Sequence, residues 1–408
     1  MRIAIGNWTM RQTGGVEIYL DLVVPELARR GHELIYVCET KSPADRPAMG
    51  VERFGRVLCV EELGAKEVLR QLRAWSPDLL YSHGYVSPEL ESAIQAIPGK
   101  QVFFVHSYYG TCISGTKCHS RPRPMPCSRR LGWKCLGLYH ARGCGGNSPF
   151  TMWRNFQLQT RRQRLLANYH MVLTHSQHMQ VELAKHGVTS VRIPFVNDCV
   201  SESRPSPERA THLTSVRLAF LGRMDFLKGG GHLIDALPIV QRRLGGPLHL
   251  TMAGSGPMRA AWEMAASRAT AANSKLTVDF PGWLTTTSRR ELLRRVSVVV
   301  VPSLWPEPFG LVGLEAGGHG VPVAAFDVGG VRDWLSEGVN GHLADGAPAS
   351  AAGLANAIVA CLQDDRHHAA LSEGARRLSQ RHHTEAHVDA LIAHATAADF
   401  GLTSSLKP

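Results

Sequence analysis

Glu307 and Glu315 stand eight residues apart in the stretch PSLWPEPFGLVGLEAGGHGVP, residues 302 to 322, among five glycines between Gly310 and Gly320. Carboxylates accept hydrogen bonds from hydroxyls, and one carboxylate matches a pair of adjacent hydroxyls such as those of a ribose. Glu307 precedes an expected helix and Glu315 falls about one and a half turns into it. A helix start presents free N–H groups and a partial positive charge, which suit a diphosphate, and Gly310 would let that anion come close. Each interior glycine costs a helix about 1 kcal/mol relative to alanine, so Gly313, Gly317 and Gly318 point to tight packing or to ligand approach. The plain alternative for the two acids is a solvated loop Glu and a helix-capping Glu.

A second loop, FLGRMDFLKGGGHLIDAL, brings Arg223 and Lys228 within five residues in a glycine-rich run. A planar fork and a point charge together fit the two phosphates of a diphosphate, although alone they read more readily as solvated surface cations. MAGSGPMRAAWE, residues 252 to 263, has the first two glycines of a dinucleotide fingerprint. It lacks the third glycine and the acid at the next strand end, so it reads as a tight turn into a helix rather than as an NAD site.

These residues need elements to position them. MRIAI and ELIYVCE read as strands flanking a helix in which Val16, Tyr19, Leu20, Val23 and Leu27 share a face, with Pro25 predicting a kink. PDLLYSH, QVFFVHS and YHMVLTHS follow, each strand ending in polar residues with a histidine. After SESRPSPERATHLTS the pattern restarts with VRLAFLGR, LHLTMAG, LTVDFPG, VSVVVVPS and VPVAAFD. Two open α/β units in tandem are expected, joined by a linker at 201–215, with ligands at the carboxyl ends of their strands.

A chain of 408 residues with 44% hydrophobic content suits two cored domains. No apolar run reaches the roughly 18 residues that cross a bilayer and no secretory h-region opens the sequence, so a cytosolic protein is expected. The net charge of +11 is concentrated: residues 92–181 hold twelve Lys and Arg and no Asp or Glu. A one-signed stretch of this length implies an anionic partner. No RNA- or DNA-binding signature accompanies it, and nucleic acid is not expected. Nine cysteines without a CxxC pair suggest free thiols in a reducing compartment. Cys112, Cys118, Cys127, Cys135 and Cys144 lie 6, 9, 8 and 9 residues apart. A structural zinc on four of them is an alternative that this spacing does not favour.

Together GGVEIYLDLVVPELARRGHELIYV, THSQHMQVELAKHGV, FLGRMDFLKGG, MAGSGP, PSLWPEPFGLVGLEAGGHGVPVAAFDVGG and EGVNGHL resemble a retaining glycosyltransferase of family four, over nearly the whole chain. The resemblance implies a GT-B fold, two Rossmann-like, doubly wound parallel-sheet domains facing across a cleft. Residues 1–200 would form the acceptor-binding domain with a basic, Cys-rich insertion at 107–165. Residues 216–383 would bind the donor, and 384–408 would return as a helix toward the first domain. The donor implied is a nucleotide diphosphate sugar, with no cofactor and no metal. Arg223 and Lys228 would hold its diphosphate, Glu315 its ribose and Glu307 its sugar, with backbone contacts from Phe309, Gly310 and Leu311. Gly14 and Gly15 would close on the diphosphate, and His106 would touch a donor-sugar hydroxyl. Substitution on one face would keep the anomeric configuration. The acceptor implied is a glycan, a lipid-linked or other anionic molecule, or a small molecule, with the protein at the inner face of the membrane where the acceptor is lipid-linked. A disaccharide-forming or phosphorolytic enzyme and a non-catalytic nucleotide-sugar-binding protein are the alternatives. The helix departs from the family in Gly317, Gly318 and His319.

Overall fold

A computed structural model describes residues 1–11, 14–41, 50, 53–196 and 216–397; the expected linker at 201–215 and the last eleven residues lie outside them. The first half runs β1 (Arg2–Thr9), α1 (Gly15–Arg29), β2 (Glu33–Thr40), β3 (Arg56–Cys59), α2 (Val60–Leu63), α3 (Ala65–Trp75), β4 (Leu79–Ser82), α4 (Pro88–Gln95) and β5 (Lys100–Phe104). An insertion follows with β6 (Cys118–His119), β7 (Met125–Pro126), α5 (Lys134–Leu138) and α6 (Pro149–Leu166), before β8 (Met171–Thr174), α7 (Gln177–Lys185) and β9 (Val191–Arg192). The second half runs β10 (Val216–Leu221), α8 (Gly230–Leu244), β11 (Leu248–Ala253), α9 (Arg259–Ala272), β12 (Leu276–Gly282), α10 (Thr286–Arg295) and β13 (Val298–Val301). It closes with α11 (Leu311–Gly318), β14 (Val323–Asp327), β15 (Gly341–Asp345), α12 (Ala351–Cys361), α13 (Asp365–Ser379) and α14 (Thr384–Thr396).

The strands assemble into two sheets, β3-β2-β1-β4-β5-β8-β9 and β12-β11-β10-β13-β14-β15, with β6 and β7 a separate antiparallel pair. Every pairing within the two large sheets is parallel. Helices therefore cover both faces, and the central strands are buried throughout, as LLYS in β4 and VVVV in β13 show. The order reverses between β1 and β4 and again between β10 and β13, and at such reversals the strand ends leave a crevice. The expected architecture of two doubly wound sheets is the one observed.

Helix starts follow local chemistry. Ser87, Ser148 and Ser176 each accept the backbone N–H three residues on, and Pro88 and Pro149 occupy first-turn positions where no donor is lost. α1 runs unbroken through Pro25. The turn at MAGSGP opens α9, as expected, and its glycines serve packing: a Cβ at Gly254 would sit 1.9 Å from the Gly222 carbonyl, and one at Gly256 2.4 Å from that of Met224.

The two sheets share one apolar core reaching from Ile3 to Ala395. α14 lies on α1: Arg30 pairs with Asp389 at 2.5 Å, and His387 Nδ1–H donates to the Pro194 carbonyl at 2.6 Å. The Tyr19 hydroxyl donates to the other His387 nitrogen at 2.6 Å. The insertion is stapled to α7 by a buried ion pair between Lys117 and Glu182, each only 2% exposed. It is held again where the Leu131 N–H donates to His186 Nε2 at 2.9 Å.

Candidate active site at the facing strand ends

The loop after β10 carries Arg223 and Lys228, and the loop after β13 carries Glu307. Their union depends on glycine. Gly229 has φ +70°, and a Cβ there would lie 1.7 Å from the Pro302 carbonyl, so only glycine lets the first loop press on the second. Leu304 N–H then donates to the Leu227 carbonyl at 2.8 Å. Lys228 Nζ reaches Glu307 Oε1 at 2.6 Å, and the Ser303 hydroxyl donates to the same oxygen at 2.5 Å. Glu307 is 4% exposed, so this is a desolvated carboxylate with both protein donors on one oxygen. Neither of these donors reaches Oε2. Arg223 is unlike them: its side chain is 70% exposed and its nearest acid, Asp225, lies 3.8 Å away.

The backbone around Glu307 is clamped from both lobes. The Tyr108 hydroxyl donates to the Pro306 carbonyl at 2.7 Å, and the Ser176 hydroxyl to that of Pro308 at 2.5 Å. Gly330 N–H donates to the Glu307 carbonyl at 2.7 Å, and Trp334 Nε1–H to that of Phe309 at 2.6 Å. Gly310, at φ +99°, then turns the chain into α11. A Cβ on Gly313 would come within 2.2 Å of the Trp334 ring, and one on Gly317 within 3.0 Å of the Ala375 carbonyl. The glycines of this helix thus admit neighbouring side chains and backbone, which is one of the two explanations their sequence positions allowed.

Glu315 sits on α11 paired with Arg289 of α10, both about a quarter exposed. Across the cleft, a Cβ on Gly15 would make ordinary contact with Leu311 at 3.5 Å, so the start of α1 faces the start of α11. Gly14 N–H donates to Glu17 at 2.8 Å, and buried Glu17 accepts in turn from Asn7 at 3.0 Å. The Gly14 amide is therefore committed within the protein, whereas Gly15 faces Leu311.

His106 follows β5, half-buried against Tyr19, with its Nε2 2.9 Å from His83 Nδ1. One ring donates and the other accepts, which leaves Nδ1 of His106 outside this bond. Burial, with His387 nearby, pushes the His106 pKa down to about 3, and burial holds His83 well below its usual range. Both rings are neutral near pH 7, so His106 acts as a hydrogen-bonding group rather than as a cation.

The strand ends thus bring Lys228 and Glu307 into contact, with Arg223 on the same loop as Lys228, Phe309 and Gly310 following Glu307, Leu311 and Glu315 on α11, and Gly15 and His106 on the opposite lobe. Sequence reasoning missed Arg289, Ser303, Tyr108, Ser176 and Trp334. His83 was marked by the histidine closing its strand. Among the described residues no group of three His, Cys, Asp or Glu side chains is placed to hold a metal ion, and the eight described cysteines are free thiols. No helix among them is long and apolar enough to cross a membrane.

Comparison with known proteins gives these sites a context. Residues 13–204 match the model of Glycosyltransferase Family 4 and residues 215–364 that of Glycosyl transferases group 1. A D-inositol 3-phosphate glycosyltransferase of Xylanimonas cellulosilytica is 28% identical over 393 residues, covering 90% of this chain and 88% of that protein. A glycogen synthase of Mycobacterium tuberculosis is 32% identical over 202 residues, but the match spans only 50% of this chain and 44% of that relative. Among solved structures, a sucrose-phosphate synthase of Thermosynechococcus elongatus superposes with a TM-score of 0.71 at 20% identity, covering 98% of this chain and 100% of that one. HepE of Anabaena in complex with UDP gives 0.69 at 19% identity, covering 97% and 100%. Related family models on both halves of the chain, joined to this pair of facing parallel sheets, identify it as a member of the group 1, family four glycosyltransferases with the GT-B architecture.

Proposed function

We propose that this protein transfers a sugar, with retention, from a nucleotide diphosphate sugar to an anionic or lipid-linked acceptor. The observation that carries the reading is the contact of Lys228 with buried Glu307 at 2.6 Å, on the loop that also carries exposed Arg223, where two parallel sheets turn their strand ends toward each other. Arg223 and Lys228 would meet the diphosphate together with the N–H groups at the start of α11. Glu307 Oε2 would accept from a sugar hydroxyl. Glu315 would exchange its bond to Arg289 for the ribose hydroxyls.

In the transfer step the bond from the anomeric carbon to the diphosphate oxygen breaks as the acceptor oxygen adds on the same face. The acceptor proton passes to the departing oxygen, and the electron pair leaves with the diphosphate. Charge that grows there is offset by Arg223 and Lys228, a kind of contact typically worth about 3 to 4 kcal/mol in the transition state. On this reading the two cations stand where a divalent ion would, and a chelator should leave turnover unchanged. HepE has been crystallised with UDP-glucose, which makes uridine donors the first to try. A lipid-linked acceptor would use the acid-free stretch 92–181.

A thermal-shift panel of uridine, guanosine and adenosine diphosphate sugars tests the donor, since a ligand bound by the folded state alone raises the melting temperature. One base class should stabilise the protein, and its sugar should be released slowly to water in the absence of acceptor. No shift with any donor would count against catalysis and binding alike. A shift without turnover would favour a nucleotide-sugar-binding protein.

A further inference from the structure

We propose that Trp133, Phe150 and Trp153, with Arg130, Lys134 and Arg154, form a docking surface for an anionic lipid bilayer. The three aromatic side chains are 72%, 73% and 42% exposed, so most of their apolar surface stands in water. Single exposed apolar residues are ordinary, but Trp133 and Trp153 gather on one face of the insertion, and Phe150 lies about one helical turn before Trp153 on α6. Trp133 and Trp153 lie with ring centroids 6.4 Å apart, and both pack on Phe156, at 5.2 Å and 6.0 Å. Phe156 is itself buried in a small core with Ile113, Leu131 and Tyr139, so the two indoles rest on a fixed base.

The helix beneath has the matching pattern. Phe150, Trp153, Arg154, Gln157, Arg161 and Arg164 recur at helical spacing on α6, and all are exposed. The aromatics fill the amino-terminal end of this stripe and the cations follow. Indole and phenyl rings settle at the level of lipid headgroups, and arginine and lysine beside them meet anionic phosphates. The face is a surface anchor, not a span.

Charge selects this occupant over others. Arg130, Lys134 and Arg154 are exposed and form no ion pair among the described residues. No acid occurs anywhere from residue 92 to 181, so this surface lacks internal countercharge from its own stretch. A neutral glycan would use the rings and leave the cations idle. A single-stranded nucleic acid could also stack its bases on the rings, but no RNA- or DNA-binding signature accompanies this stretch. An anionic membrane uses both.

The inference rests on the lipid-linked acceptor of the proposed function, yet it can be tested apart from the donor chemistry. Full-length protein is sedimented with vesicles of phosphatidylcholine alone and of phosphatidylcholine with phosphatidylglycerol. Hydrolysis of soluble nucleotide sugar is measured in parallel. Binding to the anionic vesicles alone is expected, weakening as salt rises. Replacing Arg130, Lys134 and Arg154 with Gln should weaken it about a hundredfold. Trp133→Ser with Trp153→Ser should abolish it at high salt, where only ring insertion remains. Donor hydrolysis should be unchanged in both variants, because neither set touches the cleft. Equal binding to both vesicle types, no binding by a chain that hydrolyses donor, or wild-type binding by either variant would overturn the proposal. Retention on a soluble glycan or on DNA in preference to the anionic vesicles would do the same. Failure of donor hydrolysis by the wild-type chain would count against the transferase reading and leave the vesicle result to be read by itself.

Discussion

The hydroxyl of Tyr108 lies 2.7 Å from the carbonyl of Pro306, 198 residues away, and so ties one lobe to the loop that holds Glu307. The same hydroxyl is 2.6 Å from His178 Nε2; because it donates to the carbonyl, the histidine must be the donor in that second bond. Burial of His178 lowers its pKa, consistent with a neutral ring.

Tyr108→Phe removes the donor and leaves the Pro306 carbonyl buried without it. Such a loss costs about 1 to 3 kcal/mol. The larger consequence should be kinetic, because Glu307 would no longer be held for the sugar: turnover should fall about tenfold, the equivalent of roughly 1.4 kcal/mol in the barrier. Denaturant unfolding and initial rates on the same preparation check both numbers. Unchanged turnover in a destabilised variant would mean that the clamp serves folding alone.

Arg223 and Lys228 should part company when each is replaced with alanine. Arg223 is 70% exposed and close to no acid but Asp225, so its loss should change stability by less than about 0.5 kcal/mol. Its donor-induced thermal shift should nonetheless vanish, and turnover should drop by roughly two to three orders of magnitude. Lys228→Ala should do the same and also lower the melting temperature without ligand, because Glu307 would keep its burial and lose its cation. Adding Glu307→Gln to Lys228→Ala should restore stability without restoring activity. A normal donor shift in Arg223→Ala would remove that arginine from the diphosphate site.

A group of histidines sets the expected response to acid. Burial pushes His387 and His382 down to about 4 and His106 to about 3, with His175 and His83 also lowered. In an unfolded chain each would titrate near pH 6.5. Between those values the unfolded state binds more protons than the folded one, so stability rises with pH across the window. The stabilisation is complete above about pH 6.5 and is lost as pH falls toward 4. Melting temperature should therefore be flat from pH 8 to 7 and drop steeply below 6. His387→Gln, whose neutral amide can accept from Tyr19 and donate to Pro194, should soften that drop. A melting temperature independent of pH down to 5 would contradict this.

Most of the architecture was legible because buried parallel strands are written as uninterrupted apolar runs, as in LLYS and VVVV. β9, with two residues, and β15, which reads GHLAD, carry no such run and were not foreseen. The positions of Arg223, Lys228, Glu307 and Gly310 after β10 and β13 were legible because strand ends and glycine marked those loops, whereas Phe309 and Leu311 came from the family resemblance. Arg289 was not, since its bond to Glu315 depends on how α10 lies beside α11, which no local pattern encodes. Tyr108 and Ser176 escaped for the same reason: each acts on a carbonyl supplied by the other lobe. The insertion announced its charge and its cysteines, but not the pair that fixes it.

That pair, Lys117 with Glu182, gives the last test. Lys117 Nζ also donates to the carbonyls of Thr111 and Arg129, at 3.3 Å and 2.5 Å, while Glu182 lies 3.3 Å from Lys185. Breaking a buried pair from one side strands the other charge, at a cost of about 3 to 5 kcal/mol. Lys117→Met alone should approach that cost, softened by Lys185, and Glu182→Leu alone should reach it, since two carbonyls cannot replace a carboxylate. The double variant removes both charges and their desolvation together, so it should recover most of the loss in urea unfolding. It should also keep the Leu131 to His186 bond that seats the insertion on α7. If each single variant unfolds within about 0.5 kcal/mol of wild type, the ion pair is not what anchors the insertion. A double variant no more stable than the worse single would instead show that the two charges together stabilise the fold beyond what their burial costs.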